Sequence, residues 1–339
     1  MKTRELDFTY PEDLIATSPQ KVSRVMWVDL ARKKPPEETT LTQLTSRMSE
    51  NDIFVINETR VLKARVLAQS GLEILFVKDL GDGLWEVLCP ARRWSKHGEV
   101  LPCGTKLELV RNGLPQVVQT KAPLGFSYFE KYGDLPLPPY IQQKRGERQS
   151  RERDITDYQT AWAKVAGSLA APTASFHFKA SDIERIKARG VEVAPLCLHV
   201  GLGTFLPVHS EDLNDHKMHA ESVSIPLSTS QKILRAQENG GRVWALGTTA
   251  TRSLEAWANG LLPKTEHGFV GETDIFIKPG YEFKTVDVLL TNFHQPQSTL
   301  MALVSAFAGL DTVLACYQWA IEREFRLFSY GDLSVWTKK

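Results

Sequence analysis

Five histidines cluster in the central part of the sequence, and imidazole is the side chain whose charge changes closest to neutral pH. They are His177, His199, His209, His216 and His219, with Glu221 close behind the last of them. A further histidine, His294, lies in the segment TNFHQP. Histidines and carboxylates grouped in this way suit proton transfer, so general acid–base chemistry is the first function to test.

Two of these histidines follow apolar segments that read as buried strands. His199 is the penultimate residue of VEVAPLCLHV, and His294 comes directly after VDVLLTNF. Open α/β sheets bind ligands at the carboxyl ends of their strands, which favours a site that contains both histidines. The alternative, a core histidine satisfied by backbone groups, stays open for each.

A metal site is the less favoured interpretation. His216 and His219 are spaced i, i+3 and would face one ligand from a helix, but HAESVSIP reads as a loop running into a strand. The four cysteines, Cys89, Cys103, Cys197 and Cys316, form no CxxC pair. We therefore expect no resident metal, and a histidine-based metallohydrolase remains an alternative.

The segment ALGTTATRSLEAW predicts a strand that passes through Gly247 into a helix beginning by Thr249 or Ala250. Thr248, Thr249 and the free N–H groups of the first helical turn would bind a carboxylate or phosphate, and Arg252 could reach the same anion. An ordinary strand-to-helix turn is the alternative.

Basic residues form three groups, although the net charge of the whole chain is only +1. Such groups favour a polyanion such as RNA, with Trp94 as a surface for base stacking. An exposed strand edge is the alternative for each. The groups are Arg60, Lys63 and Arg65; Arg92, Arg93 and Lys96; and the segment 142–154, which we expect to be an exposed connector.

The elements that must position these residues change character along the 339-residue chain. Residues 61–119 read as short strands separated by turns, of which Gly81-Asp82-Gly83 is a hairpin candidate. This pattern predicts a small antiparallel barrel or sandwich. From Thr156 onward helices and strands alternate, which predicts a largely parallel α/β domain. Capping-box spacing predicts helix starts at Thr156, Ser181 and Ser228.

The first 60 residues contain two further strand candidates, RVMWVDL and DIFVIN, around a helix beginning near Thr40. A β domain inserted into a discontinuous α/β domain fits this order. The charged N-terminus has no apolar signal region, and the longest nearly apolar run, 300–310, is too short to span a bilayer. We expect a soluble cytoplasmic protein.

Long blocks of the sequence resemble one family, the S-adenosylmethionine:tRNA ribosyltransferase-isomerases of queuosine biosynthesis. The blocks occur in order over some 200 residues and include LPLPPYI, ITDYQTAWAKVAGSLAAPTASFHF, LHVGLGTFLPV, HKMHAES, ALGTTATRSLEA, GETDIFIKPGYEF and LLTNFHQPQSTLMALVSAFAG. Departures from the family pattern are Glu58, Arg93-Trp94, Ser175-Phe176 and Gln295.

The resemblance implies a discontinuous α/β barrel-like catalytic domain (1–60 and 151–339) with an inserted small antiparallel β-barrel domain (61–150). It implies that the ribosyl group of S-adenosylmethionine is isomerised and transferred to 7-aminomethyl-7-deazaguanine at the wobble position of tRNA. Epoxyqueuosine-tRNA, adenine and methionine would be the products. S-adenosylmethionine is then a co-substrate rather than a cofactor, the anticodon stem-loop is the partner, and we expect a monomer.

Such a reaction needs a base at the ribose 5′ carbon, an acid for the departing adenine and a neutral acceptor amine. The expected catalytic residues are His199, His219, His294, Glu221, Asp274 and His177. For substrate binding we expect Thr248, Thr249, Arg252, Thr204, Phe205 and Asn292, of which the first three would hold the methionine carboxylate. The expected tRNA-binding residues are the six basic residues at 60–65 and 92–96. A non-catalytic RNA-binding protein is the competing class.

Overall fold

The computed structural model describes residues 1–338 apart from 21, 33, 148, 202 and 204–209. In the described residues the strands and helices are β1 (Arg24–Asp29), β2 (Glu37–Thr40), α1 (Leu41–Ser46), β3 (Ile53–Asn57), β4 (Thr59–Val61), β5 (Arg65–Leu67), β6 (Glu73–Gly81), β7 (Leu84–Leu88), β8 (Glu99–Val100), β9 (Lys106–Arg111), β10 (Gln116–Thr120), α2 (Phe126–Tyr132), β11 (Gly133–Asp134), α3 (Pro139–Arg145), α4 (Asp154–Asp157), β12 (Val165–Ser168), α5 (Ala180–Ala188), β13 (Glu192–Leu198), β14 (Glu221–Pro226), α6 (Leu227–Glu238), β15 (Val243–Leu246), α7 (Thr248–Ala258), β16 (Lys264–Thr265), β17 (Gly268–Thr273), β18 (Val288–Asn292), α8 (Thr299–Ala308), α9 (Leu310–Ile321) and β19 (Leu333–Thr337). Short 3₁₀ helices cover Thr3–Leu6, Glu12–Leu14, Ala91–Arg93 and Thr173–His177.

The main sheet has ten strands in the order β16-β17-β14-β13-β3-β15-β18-β19-β1-β2. Its centre, β13-β3-β15-β18, is parallel, and β1 is parallel to β19. The remaining pairs are antiparallel. The fold is therefore a mixed α/β fold, and the expectation of a largely parallel sheet holds only for the centre.

The central strands are buried on both faces, which explains why they read as continuous apolar runs. In β3, Val55 packs in one core with helices α6 to α9, whereas Phe54 packs in a second core with α1 and α5. In the neighbouring strand β15, Ala245 packs in the first of these cores and Trp244 in the second. Alternation of side chains across a strand thus produces two apolar layers around one sheet.

The segment from β5 to β11 forms a seven-stranded antiparallel sheet in the order β11-β5-β6-β7-β10-β9-β8, with its own apolar cluster around Phe76 and Trp85. The predicted hairpin at 81–83 is confirmed: Gly81 pairs with Leu84, and Asp82 and Gly83 have φ of 51° and 77°. The backbone N–H of Gln69 donates to the Val100 carbonyl of β8 at 2.8 Å. Closure of this sheet into a barrel and the domain boundaries stay predictions.

Several predicted boundaries were wrong. Thr156 lies inside α4 rather than before it, α5 begins at Ala180 instead of after Ser181, and α6 begins at Leu227. Most described residues of the segment 142–154 are exposed, as expected, but its first residues belong to α3, and the Arg145 guanidinium ties it down through two hydrogen bonds with the buried Asp154 carboxylate at 2.7 and 3.0 Å. Among the described residues no single helix is long and apolar enough to cross a bilayer; α8 and α9 reach that length only together, across a 108° bend.

Candidate active site

One edge of the main sheet collects the polar side chains that the sequence placed at strand ends. The four central strands are parallel, so β13, β3, β15 and β18 all end there. The antiparallel strands β14 and β19 begin at the same edge, and β17 ends there. The residues brought to it are His199, Asn57, Thr59, Thr248, Thr249, Asn292, His294, Glu221 and Asp274.

His199 is held on two sides. Its Nδ1 lies 2.7 Å from the hydroxyl of Thr59, and the Cys197 thiol lies 3.7 Å from Nε2. A Cβ atom on Gly167, whose φ is 148°, would come within 3.0 Å of the imidazole, so the ring packs where only glycine leaves room. Burial lowers the pKa of His199 below 6.5, which leaves the half-buried ring neutral and able to accept a proton at neutral pH.

Asn57 joins the strand ends beneath His199. Its Oδ1 accepts from the backbone N–H groups of Thr59 and Leu198, both at 3.1 Å, and its Nδ2 donates to the Leu198 carbonyl at 3.0 Å. The same Nδ2 lies 3.2 Å from Thr249 Oγ1. A fully buried amide therefore fixes β3, β13 and the start of α7 relative to one another.

His177 is saturated with hydrogen bonds at both ring nitrogens. Nδ1 lies 2.7 Å from Ser23 Oγ, and Nε2 lies 3.1 Å from Asn292 Nδ2. The Oδ1 atom of Asn292 in turn accepts a hydrogen bond from the Thr173 hydroxyl at 2.9 Å. Burial, with a smaller contribution from Arg326, lowers the pKa of His177 to about 4. These contacts favour a structural role for His177 and Asn292 at the edge of the site.

His294 lies deeper. Its Nε2 is 2.7 Å from Thr291 Oγ1, its backbone N–H donates to the Tyr317 hydroxyl at 3.0 Å, and the residue is 9% exposed. Burial lowers its pKa to about 3. This is the arrangement expected of a core histidine, the alternative that the sequence left open.

Glu221 and Arg252 form a buried ion pair beside the end of β13. Glu221 Oε2 accepts from Arg252 Nη1, and Glu221 Oε1 accepts from the Gly201 N–H at 3.0 Å. Arg252 Nε donates to the Ile275 carbonyl at 3.3 Å, while Arg252 Nη2 is buried without a hydrogen-bond partner in the described structure. An unsatisfied buried guanidinium N–H is costly, so this donor is available to an anion.

The N-terminus of α7 lies at the same edge of the main sheet, directly after β15. The helix begins at Thr248, within two residues of the predicted start at Thr249 or Ala250. No side chain caps its first turn. Arg252 is one turn into this helix. Free N–H groups at a helix start and a guanidinium are both donors of the kind that bind carboxylates.

Two predicted catalytic residues lie at the other side of this edge. Asp274 directly follows β17 and is exposed. His219 is half-buried beside Gly203, whose added Cβ would be 3.7 Å from His219 Cδ2. The stretch 214–220 is not helical, so His216 and His219 do not share a helix face; His216 instead packs edge-on against Phe276 with 5.4 Å between ring centres. Thr204, Phe205 and His209 lie outside the described residues.

No group of three or more histidine, cysteine, aspartate or glutamate side chains at metal-binding distances occurs in the part of the chain that the structure describes. The expectation of a site without metal stays a prediction.

Comparison with known proteins decides the family. The family model of queuosine biosynthesis proteins matches residues 3–335. Proteins named S-adenosylmethionine:tRNA ribosyltransferase-isomerase from Geotalea uraniireducens and Natranaerobius thermophilus are each 42% identical to this chain, over 98% of both partners. The chain belongs to this family of queuosine biosynthesis enzymes. The resemblance seen in the sequence is thereby confirmed, as is the prediction of a transferase-isomerase.

A solved structure supports the same assignment. The crystal structure of the S-adenosylmethionine tRNA ribosyltransferase from Thermotoga maritima superposes with a TM-score of 0.56 at 30% identity. It covers 98% of this chain and 99% of its own. The mixed α/β architecture is therefore that of a ribosyltransferase-isomerase.

The basic residues predicted to bind tRNA differ in their surroundings. Arg92, Arg93 and Lys96 are exposed around the 3₁₀ helix at 91–93. Arg60 and Lys63 both approach the Glu130 carboxylate, at 3.6 and 3.4 Å. Arg65 is only 6% exposed and pairs with Asp134, which favours a structural role.

Sequence reasoning missed the residues that hold the site together. Thr59, Asn57 and Ser23 act through partners more than 100 residues away. Glu255 was also missed: inside α7, its buried carboxylate accepts from Tyr281 and from the three successive N–H groups of 284–286 at 2.9–3.0 Å. The signal was a glutamate inside the apolar stretch LEAWA (254–258), because a buried charge must have partners.

Proposed function

We propose that this protein isomerises the ribosyl group of S-adenosylmethionine and transfers it to 7-aminomethyl-7-deazaguanine at the wobble position of tRNA. The products are epoxyqueuosine-tRNA, adenine and methionine. The observation that carries the proposal is that a hydrogen-bonded imidazole with a lowered pKa, His199, and a buried, unpartnered donor of Arg252 lie near the same sheet edge in a member of the ribosyltransferase-isomerase family.

His199 is the proposed general base. Its ring is neutral at physiological pH, is oriented through Nδ1 by Thr59, and is half-buried rather than sealed in the core. The sulfonium of S-adenosylmethionine acidifies the ribose 5′ carbon, so a neutral imidazole can take a proton from it. His177 and His294 are less suited, because the ring nitrogens of His177 and the Nε2 atom of His294 are already hydrogen-bonded and both residues have strongly lowered pKa values.

The methionine carboxylate is proposed to bind between Arg252 Nη2 and the first turn of α7, at Thr248 and Thr249. The ion pair with Glu221 occupies the other side of the Arg252 guanidinium and fixes its orientation. In this arrangement Glu221 positions Arg252 and is not the base. Asp274 and His219, at the same edge, are the remaining candidates for protonating the adenine that leaves.

The cytoplasm, where tRNA and S-adenosylmethionine meet, is the proposed location, and the monomer is the proposed working form. The splayed wobble base would enter the edge of the sheet from a single-stranded anticodon loop.

Isotope labelling tests the reaction. Protein is incubated with S-adenosylmethionine and an anticodon stem-loop carrying the aminomethyl-deazaguanine, and adenine, methionine and RNA are analysed. Carbon label in the ribose should appear in the RNA, while label in the methyl group should leave with methionine. Methyl label in the RNA together with S-adenosylhomocysteine would refute the proposal, and so would tight RNA binding with label in neither product.

A further inference from the structure

An exposed aromatic ring lies beside the candidate active site. Phe126, the first residue of α2, is 42% exposed, and the Arg60 guanidinium lies over its ring at 5.2 Å from the centroid. A partly exposed ring beside a guanidinium offers a planar surface for stacking.

A short ribbon of two strands connects this ring to His199. Strands β4 and β12 pair in parallel, with Ala166 opposite Arg60. The next residue, Gly167, packs against the His199 imidazole, as described above. Only a few residues of exposed backbone therefore separate the proposed base from the Arg60–Phe126 pair.

The surroundings of the ring are cationic. The segments 58–64, 126–132 and 162–168 contain four basic residues, Arg60, Lys63, Lys131 and Lys164, against two acidic residues, Glu58 and Glu130. Glu130 is shared between Arg60 and Lys63, so it cannot neutralise both. Lys131 and Lys164 are exposed. We call Arg60, Phe126, Lys131, Lys164 and Val165 the ribbon surface.

We propose that the ribbon surface binds the single-stranded RNA that flanks the reacting base, with one neighbouring base stacked on Phe126 and the backbone phosphates near the basic residues. This inference rests on the proposed function, since it concerns the same RNA. Aromatic rings interleaved with cations are how proteins hold unpaired nucleotides without reading their sequence. A second copy of this chain would carry the same positive charge to the surface, which disfavours it as the occupant.

The test uses stacking itself as the readout. Anticodon stem-loops carry 2-aminopurine at one loop position at a time, and its fluorescence is measured with and without protein. Wild-type protein should quench the probe at the position next to the wobble base. Phe126→Leu keeps an apolar side chain but removes the aromatic face, so quenching should be lost and RNA should bind roughly tenfold more weakly. Phe126→Trp should retain both.

Leu234→Ala, which shortens an exposed leucine of α6, is the matched control and should bind RNA like wild type. Affinity for S-adenosylmethionine should be the same in all variants, because Phe126 is proposed to contact only RNA. With saturating stem-loop the kcat of Phe126→Leu should approach that of wild type, while KM for the RNA rises.

Quenching and RNA affinity that are unchanged in Phe126→Leu would overturn the inference. A change in sedimentation of Phe126→Leu with unchanged RNA binding would also overturn it and make the surface a contact between copies. Failure of the proposed function is seen separately, since it requires that wild-type protein gives no labelled RNA product at any concentration of stem-loop.

Discussion

The hydroxyl of Thr59 lies 2.7 Å from Nδ1 of His199, a contact between residues that closely follow the adjacent parallel strands β3 and β13. This hydrogen bond fixes which way the imidazole faces and engages Nδ1, which leaves Nε2 as the nitrogen that can meet a substrate. The backbone N–H of Thr59 is itself held by Asn57 at 3.1 Å, so the hydroxyl is carried by a rigid strand end.

Thr59→Val should therefore reduce turnover while leaving the fold intact. Valine has nearly the same shape and keeps the N–H bond to Asn57, but it cannot orient the ring. We expect kcat to fall about tenfold to a hundredfold, within the range of acid–base contributions. Steady-state kinetics of Thr59→Val and Thr59→Ser check this, because serine keeps the hydroxyl and should keep most of the activity. Equal loss in both variants would contradict an orienting hydrogen bond.

The pH dependence of the reaction should report His199. A general base is active when neutral, and the pKa of His199 is lowered from 6.5 by burial. The acidic limb that His199 causes should therefore lie below pH 6.5, separate from any fall in rate caused by protonation of the acceptor amine at higher pH. His199→Ala should lower kcat/KM by about a hundredfold or more and abolish this acidic limb. Retention of the limb in His199→Ala would assign it to another group.

Arg252→Lys tests the carboxylate site. Lysine preserves the positive charge next to Glu221, so that carboxylate keeps its partner. Lysine has no counterpart of Arg252 Nη2, the buried donor that has no hydrogen-bond partner in the described structure. Affinity for S-adenosylmethionine, measured by calorimetry, should fall about tenfold, as expected for loss of one charge-assisted hydrogen bond. Methylthioadenosine, which has no carboxylate, is the control ligand and should bind both proteins alike. An equal loss for both ligands would place the carboxylate elsewhere.

The local parts of this structure could be predicted from the sequence, and the long-range contacts could not. The passage from β15 into α7 was predicted because an apolar run followed by Gly247 and Thr248 is a strong local signal. The start of α5 was misplaced because the capping contact comes from Asp182, whose carboxylate accepts from the Lys179 N–H at 2.7 Å, and not from Ser181. At α6, the helix begins directly after Pro226 without a side-chain cap, so Ser228 lies inside the first turn.

In the candidate site, too, the local features could be predicted and the long-range contacts could not. The placement of His199 and His294 at one edge followed from strand ends alone. The contact of His199 with Thr59 spans 140 residues of sequence, and no local spacing reveals it. Burial is equally invisible: His199 and His294 looked equivalent after their strands, yet the tertiary structure encloses His294 with Thr291 and Tyr317.

Acid should destabilise the fold through the buried histidines. The pKa values of His177 and His294 are lowered to about 4 and about 3, while both groups titrate near 6.5 in the unfolded chain. Between these limits the unfolded state binds more protons, so stability is full above about pH 6.5 and falls as the pH drops toward 4, by about 1.4 kcal/mol per pH unit for each histidine. Urea unfolding at several pH values should show a shallower slope in His294→Gln than in wild type. An unchanged slope would mean that His294 is not buried in its neutral form.

The exposed cluster of Arg92, Arg93 and Lys96 should contribute to RNA affinity through charge alone. No acidic side chain forms an ion pair with these three within the described residues, so phosphate groups can approach them. Replacing all three with alanine should weaken tRNA binding and reduce the slope of log affinity against log salt by roughly one unit for each lost phosphate contact. The melting temperature should be unchanged, since the side chains are exposed, and so should affinity for S-adenosylmethionine. Lys106→Ala is the control: this exposed lysine already pairs with Glu108 at 3.3 Å, so its loss should leave the slope as it is. A salt slope in the triple variant equal to that of wild type would show that the cluster is a solvated strand edge and that the phosphates bind elsewhere.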